Sequence, residues 1–240
     1  MSAGESSRQA LGRPRLHLRR TDSTNERVRA LALAGAPHGT LVTASEQSAG
    51  RGRQGRRWLA PPGSSLLMSL LLRSPPPLLP LIAAVALCEV VGEHARIKWP
   101  NDVVIASPAG ALAKLAGILI EGRPQESWAV LGIGLNVAVN LDDLPPELRA
   151  SAATMGLAPD QLEPTLARLL DTLAARLLEP AEQTLQAWRA RDALRGRRIA
   201  WADGHGRAEG IDGLGRLIVA LDDGGRTELG AGEVHLREIR

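Results

Sequence analysis

The chain has 240 residues, 44% hydrophobic and 23% charged, with a formal net charge of +3. This composition is that of a globular chain with room for one large domain or one large and one small; its charge is too small to argue for nucleic acid as the main partner, though the pI of about 9.9 keeps that question open. One cysteine, Cys88, excludes an internal disulfide and points to a reducing, cytoplasmic setting, while the polar, Arg-rich first twenty residues and the short apolar run Leu78 to Val91 exclude a signal peptide and a membrane span.

Residues 1–14 read as a polar, frayed tail. Thr21-Asp22-Ser23-Thr24-Asn25 precedes Glu26 to Ala34, where Val28, Leu31 and Ala32 share a helical face. Ser23, Thr24 and Asn25 are first explained by helix capping, with free N–H groups at the helix start for a polar ligand atom. Thr40 to Ala44 reads as a strand, Ser48 to Arg57 as a loop and Ser64 to Leu72 as a second strand. After Pro75-Pro76-Pro77, Leu78 to Glu93 reads as a largely buried helix. Strand-like stretches follow at Arg96 to Lys98, Asp102 to Ala106, Ala113 to Glu121 and Trp128 to Val139. The turns at 107–110 and 122–124 are short, so these neighbours pair antiparallel. Pro159 to Arg195 has helical period, broken near Pro180.

The texture changes at Gly196. Five short strands, at 198–201, 207–211, 216–220, 226–229 and 234–239, alternate with Gly/Asp turns. They predict a small all-β, barrel-like module. The expected division is therefore 1–194 and 195–240. With no Phe or Tyr in the chain, aliphatic side chains and five Trp must form the core.

Chemistry concentrates in a few segments. Lysine occurs only at Lys98 and Lys114; every other fixed cation is arginine. Two lysines kept against that bias mark sites where a compact ammonium is wanted. Gly50-Arg51-Gly52-Arg53-Gln54-Gly55-Arg56-Arg57-Trp58 combines backbone freedom with forked donors that fit carboxylate or phosphate oxygens. It is expected to be mobile when empty and to order on an anion; a solvated basic or RNA-binding loop is the alternative. The indole of Trp58, beside arginines, can stack a purine ring. Gln47 offers an amide, a weak signal alone.

In Lys98-Trp99-Pro100-Asn101-Asp102 the proline fixes a corner. Asp102 is a candidate to hold a divalent cation through water or to orient a lysine, or else closes an Asx turn. Lys114 can neutralise a carboxylate and an α-phosphate as they join, or simply reach water from a strand end. Gly132-Ile133-Gly134-Leu135-Asn136 lacks the third glycine and the helix of a dinucleotide fingerprint. Glycines within a strand instead indicate close approach of a ligand or another backbone, with Asn136 a donor to phosphate. The five His have no metal-ligand spacing, and neither a G-x-S-x-G elbow nor a Walker loop is present.

In this order, the segments at 23–25, 46–58, 98–102, 114–119 and 132–136 resemble the biotin–protein ligases, over about residues 21 to 140. The resemblance implies an α+β fold: a central mixed or antiparallel sheet with helices, like the class II aminoacyl-tRNA synthetase catalytic domain, plus a C-terminal SH3-like barrel. It implies that biotin and ATP give biotinyl-5′-adenylate, and that biotin then passes to a lysine of a biotin carboxyl carrier domain. By the family's motif positions, Ser23, Thr24, Asn25, Gln47, Arg51, Gly52, Arg53 and Lys114 contact biotin. Arg53, Arg57, Trp58, Asn101 and Asn136 face ATP, and Lys114 and Arg53 are catalytic. Mg²⁺ is implied by the ATP step, with no dedicated metal cage. The short stretch before the first motif implies a form without an operator-binding domain; neither DNA nor membrane is expected as a partner. A homodimer is compatible with the family but not required. The rivals are a lipoate–protein ligase, an RNA-binding module using the Arg/Gly loop, and a catalytically dead biotin-binding module.

Overall fold

The computed structural model describes residues 11–106, 111–122, 126–231 and 237–238, the last two by backbone alone. The expected tail over 1–10, the turn at 107–110, residues 123–125 and most of the last expected strand lie outside the described residues.

Seven strands form the large sheet: β1 (Arg15–Leu18), β2 (Leu41–Ala44), β3 (Ser65–Arg73), β4 (Arg96–Lys98), β5 (Asp102–Ala106), β6 (Leu112–Glu121) and β7 (Trp128–Asn136). Their spatial order is β1-β2-β3-β7-β6-β5-β4. β1 and β2 run parallel, and every other pair is antiparallel. The antiparallel pairing expected from the short turns thus holds from β5 to β7.

β1 was not expected. It is an exposed edge strand, so no apolar alternation marks it. The frayed-tail reading also fails for residues 11–14. Gly12 is buried, donates its N–H to Gly39 O at 2.9 Å, and carries no Cβ where one would stand 2.8 Å from Leu170.

Helices cover both faces. α1 (Thr24–Leu33) lies on one side, where Val28 and Ala32 pack with Val42, Leu71, Trp128 and Val130. α2 (Leu79–Val91) lies on the other. There Leu41, Leu70, Leu72, Ala129 and Leu131, the chain neighbours of those same strand residues, join the main core. Alternation along each strand divides the residues between the two sides.

α2 is apolar around almost its whole circumference because α4 (Leu162–Arg176) and α5 (Ala181–Arg189) cover its outer side. Full burial of one leucine such as Leu87 contributes about 2 kcal/mol. The charged exception in α2, Glu89, is paired with Arg176 of α4. A short helix, α3 (Pro146–Arg149), had no counterpart among the expected elements.

The second sheet, of β8 (Arg198–Trp201), β9 (Gly204–Ile211), β10 (Leu217–Leu221), β11 (Arg226–Leu229) and β12 (Arg237–Glu238), is antiparallel in the order β11-β10-β9-β8-β12. Ile199, Ile211, Leu217 and Val219 belong to the same buried cluster as α2 and the large sheet. Trp99 crosses between the sheets, donating its indole N–H to Gly215 O at 3.0 Å. Without Phe or Tyr, the largest fully buried side chains are Trp99 and Trp188 among leucines, isoleucine and Met68.

Candidate active site

A cleft of about 350 Å³ opens over the α1 face of the sheet, within the range of small-molecule sites. Ser23, Thr24, Asn25, Gln47, Arg51, Gly52, Arg53, Arg57, Trp58, Asn101, Asp102, Lys114 and Asn136 all line it, as do Lys98 and Arg56. Both lysines of the chain are therefore in one wall system, 16 positions apart in sequence but facing one space.

The α1 end forms the first wall. Ser23 holds the N-cap position with extended backbone, yet its side chain makes no capping bond. The capping explanation therefore fails for Ser23. Gln47 takes over: its Oε1 accepts the Thr24 N–H at 2.7 Å and lies 3.1 Å from Thr24 Oγ1. The Thr24 N–H is consequently occupied by the protein, contrary to the free helix-start N–H groups expected from the sequence. Asn25 is buried; its Nδ2 donates to Glu121 Oε2 at 2.7 Å and its Oδ1 lies 2.5 Å from Ser69 Oγ.

The Gly/Arg segment folds on itself as a small hairpin. Trp58 N–H donates to Gly50 O at 3.0 Å, Gly52 N–H donates to Arg56 O at 2.7 Å, and Arg51 bridges Arg57. A Cβ at Gly50 would lie 2.5 Å from Trp58 O, so the hairpin closes there only with glycine. Arg51 reaches Glu26 at 3.2 Å and Glu121 at 3.1 Å. Arg53 donates to Asn101 Oδ1 at 3.1 Å and to Ala231 O beyond β11. Burial pushes the Arg53 guanidinium below its ordinary value; Asp102 offsets part of this and Arg56 adds to it. Arg57 donates to Ser48 O at 2.8 Å from an exposed position.

Strand glycines shape the floor. Gly117 of β6 and Gly134 of β7 are directly opposite partners, and the Trp58 ring lies on them. A Cβ on Gly134 would stand 2.5 Å from the indole, and one on Gly117 3.1 Å. At Gly132, a Cβ would meet Asn25 Oδ1 at 2.1 Å. The close approach expected at Gly132 and Gly134 was of a ligand or another backbone; in the structure the Asn25 and Trp58 side chains make it, and the Trp58 ring extends over Gly117.

Lys114 reaches the same floor through a bulge. Val103 pairs with Ala116 but Val104 pairs with Lys114, so Leu115 is the extra residue on β6. In a regular strand residues three apart face opposite ways. The bulge returns Lys114 to the face of Gly117, whose Cβ position is 3.2 Å from Nζ. There Nζ stands 2.7 Å from Asp102 Oδ1 and 5.5 Å from the Trp58 ring centre. Asp102 thus orients a lysine, one of the roles its sequence context allowed. Backbone bonds from Lys114 to Ser151 and Ala153 lock this point of the strand.

Asn101 and Asn136 are anchored by the protein. Asn101 donates to Ile118 O at 2.9 Å; Asn136 donates to Ala153 O at 2.9 Å and accepts from Ser65 Oγ at 3.2 Å. The segment carrying Leu144, Leu148, Ser151 and Ala152 also lines the cleft. Sequence reading missed it because it has no periodicity and no chemical motif. Ser69, in contrast, had a legible signal: a hydroxyl on the alternating face of an otherwise apolar strand. Away from the cleft, burial pushes the Cys88 thiol up to about 12, which leaves it an inert core residue.

No group of three His, Cys, Asp or Glu side chains stands ready for a metal among the described residues. The cleft lining carries six cationic side chains and one carboxylate, Asp102. Such a space favours anions, over a glycine floor on which the Trp58 ring and the Asn25 amide already lie.

Comparison with known proteins is consistent with this chemistry. The model of the biotin/lipoate A/B protein ligase family matches residues 17–138, and that of the biotin protein ligase C terminal domain matches residues 196–237. The chain is 40% identical over 148 residues to the bifunctional ligase/repressor BirA of Bacillus spizizenii, covering 57% of this chain but only 44% of that relative's length. It is 36% identical to the biotin–[acetyl-CoA-carboxylase] ligase of Mycobacterium tuberculosis, over 90% of this chain and 87% of that one. Among solved structures, the biotin protein ligase of Aquifex aeolicus in complex with biotin and ATP superimposes with a TM-score of 0.77 at 26% identity, covering 94% of this chain and 99% of that one. Matched by a family model over half its length and by a ligase over nine-tenths of it, the chain belongs to the biotin/lipoate A/B protein ligase family and, within it, to the biotin protein ligases.

Proposed function

We propose that this protein joins biotin to ATP, forming biotinyl-5′-adenylate and pyrophosphate, and then transfers the biotinyl group to a lysine of a carboxyl carrier domain. The observation that carries the reading is the convergence of five separated motifs on one cation-rich, glycine-floored cleft.

The reaction needs alignment more than acid–base help. A biotin carboxylate is already a nucleophile toward the α-phosphorus; the obstacle is repulsion between two anions. At an effective dielectric of ~20 and ~4 Å, one cation offsets roughly 4 kcal/mol of that repulsion. Lys114 takes this role, with Asp102 fixing its ammonium. Arg53 closes over the adenylate from the hairpin, excluding water that would hydrolyse the mixed anhydride. Ser23, Thr24, Asn25, Gln47, Arg51 and Gly52 hold biotin. Arg57, Trp58, Asn101 and Asn136 border the nucleotide. In the second step the carrier lysine attacks the acyl carbon and AMP leaves, so no nucleophile is required here.

Mg²⁺ would enter with the triphosphate. Asp102 is the carboxylate that lines the cleft, and it would meet the ion through water, with phosphate oxygens supplying most ligands. We assign residues 1–194 to the adenylating unit and 195–240 to an SH3-like module. No helix among the described residues is long and apolar enough to cross a membrane, and the single buried cysteine fits a cytoplasmic setting.

The test is ATP–pyrophosphate exchange with biotin and lipoate side by side. Exchange that depends on biotin supports the reading. Exchange that depends on lipoate alone replaces it with a lipoate–protein ligase.

A further inference from the structure

Two residues outside every motif close a directed hydrogen-bond chain beneath the α1 wall. Glu121 ends β6, part-buried, with both oxygens engaged. Oε2 accepts Asn25 Nδ2 at 2.7 Å, and Oε1 is 3.1 Å from Arg51 of the hairpin. A carboxylate only accepts. Asn25 must therefore point its amide nitrogen at Glu121 and its oxygen at Ser69.

The remaining directions follow from proton supply. Ser69 Oγ lies 2.5 Å from Asn25 Oδ1 and 2.7 Å from Thr24 Oγ1, and Thr24 Oγ1 lies 3.1 Å from Gln47 Oε1. Two hydroxyl protons serve these three oxygen–oxygen contacts. The amide oxygen of Asn25 has no proton, so Ser69 donates to it. Ser69 then accepts from Thr24. The longest contact is the one without its own proton, and Gln47 Oε1 is already satisfied by the Thr24 N–H. Asn25 and Gln47 are left with amide N–H groups to present, and both residues line the cleft. Such a wall takes a neutral carbonyl acceptor, which the ureido group of biotin supplies.

We propose that Glu121 and Ser69 are positioning residues of the biotin site. Glu121 fixes the orientation of Asn25 and tethers Arg51 to the same wall. Ser69 passes that orientation to the Thr24 hydroxyl, while the Thr24 N–H separately fixes Gln47. Ser69 is fully buried between the wall and the sheet, and Gly132, its partner on β7, leaves room for the Asn25 amide. The inference rests on the biotin-ligase reading.

Glu121→Ala, Glu121→Gln and Ser69→Ala test it, with KM for biotin, KM for ATP and kcat read from pyrophosphate exchange and biotin Kd read by calorimetry. Glu121→Ala should raise the biotin KM and Kd about tenfold, the loss of one charge-assisted hydrogen bond, with the ATP KM within about twofold of the parent. Glu121→Gln should show a smaller rise, because its amide oxygen still accepts from Asn25 while the Arg51 tether is lost. Ser69→Ala should also raise the biotin KM selectively. A role in folding alone would lower kcat through the folded fraction and leave both KM values unchanged. A biotin KM near the parent value in Glu121→Ala and Ser69→Ala, or an equal rise in the ATP KM, overturns the proposal. A parent protein without biotin-dependent exchange overturns the ligase reading and this inference with it, so the two failures are distinct.

Discussion

On the five-stranded sheet, Arg198 meets Asp222 at 2.6 Å, Arg226 meets Glu209 at 2.9 Å, and Arg216 meets Asp212 at 2.6 Å and Glu228 at 2.7 Å. Around the cleft, Arg51, Arg53, Arg56 and Arg57 gather with both lysines against the single lining carboxylate of Asp102. The residue type is the same, but the balance differs: Arg51 is paired with Glu26 and Glu121 and Lys114 with Asp102, yet six cations line the cleft beside one carboxylate. On the small sheet Arg198, Arg216 and Arg226 each have a counter-ion within the fold, and solvent screens the pairs. At the cleft the excess of positive charge is concentrated in a concave space, which favours an incoming anion. Arginine content alone therefore predicts nothing about anion binding. The local ratio of cations to carboxylates in a concave space does.

The contrast can be broken most directly at Lys114. Lys114→Ala should slow biotin-dependent pyrophosphate exchange about 10²- to 10³-fold, as removal of one preorganised charge does elsewhere. Its melting temperature should remain close to the parent's, because the side chain is part-exposed and its backbone bonds remain. Near-normal exchange in this variant would refute the charge-neutralising role. Next in size is Arg53→Gly, which removes the contacts to Asn101 and Ala231. The adenylate should escape into solution about 10- to 100-fold faster, measured by chasing radiolabelled intermediate in the absence of carrier. Retention equal to the parent would count against closure by the hairpin.

Gly134→Ala probes the floor. The new methyl would stand 2.5 Å from the indole, so Trp58 must leave the glycine slot. About a tenfold rise in KM for ATP is expected, together with a shift in tryptophan emission. An unchanged emission spectrum would mean the ring does not rest there in solution. The smallest effect belongs to the small sheet. Arg226→Ala removes an exposed pair and should cost no more than about 1 kcal/mol of stability, with exchange kinetics at the parent level. A clear kinetic defect would erase the distinction between the two arginine populations.

Much of the fold was legible before the coordinates. β4, β5, β8 and β11 have the expected bounds, and β3, β6 and α2 differ by a residue or two at their ends. Their signals are local: alternation, proline breaks and glycine turns. β1 and α3 were not legible, one because an exposed edge strand carries no apolar alternation, the other because four residues are too few for a helical period. For the site, motif residues could be named, but their partners could not. Ser23 looked like a cap, yet Gln47, 24 positions later, satisfies the Thr24 N–H of that helix.

From its residues alone, this chain specifies an aliphatic α+β core, a cation-rich set of motifs and a second β module beginning near residue 196. Those features depend on side-chain chemistry and on neighbours a few positions apart. Only the assembled sheet decides that Lys114 faces Gly117, because that requires an extra residue at Leu115 whose existence depends on pairing with β5. Only the assembled sheet brings Glu121, Asn25 and Ser69 together, since cross-strand register and the docking of α1 set those distances. Periodicity records which face a residue prefers. Which side chain it meets there is fixed by strands far away in sequence.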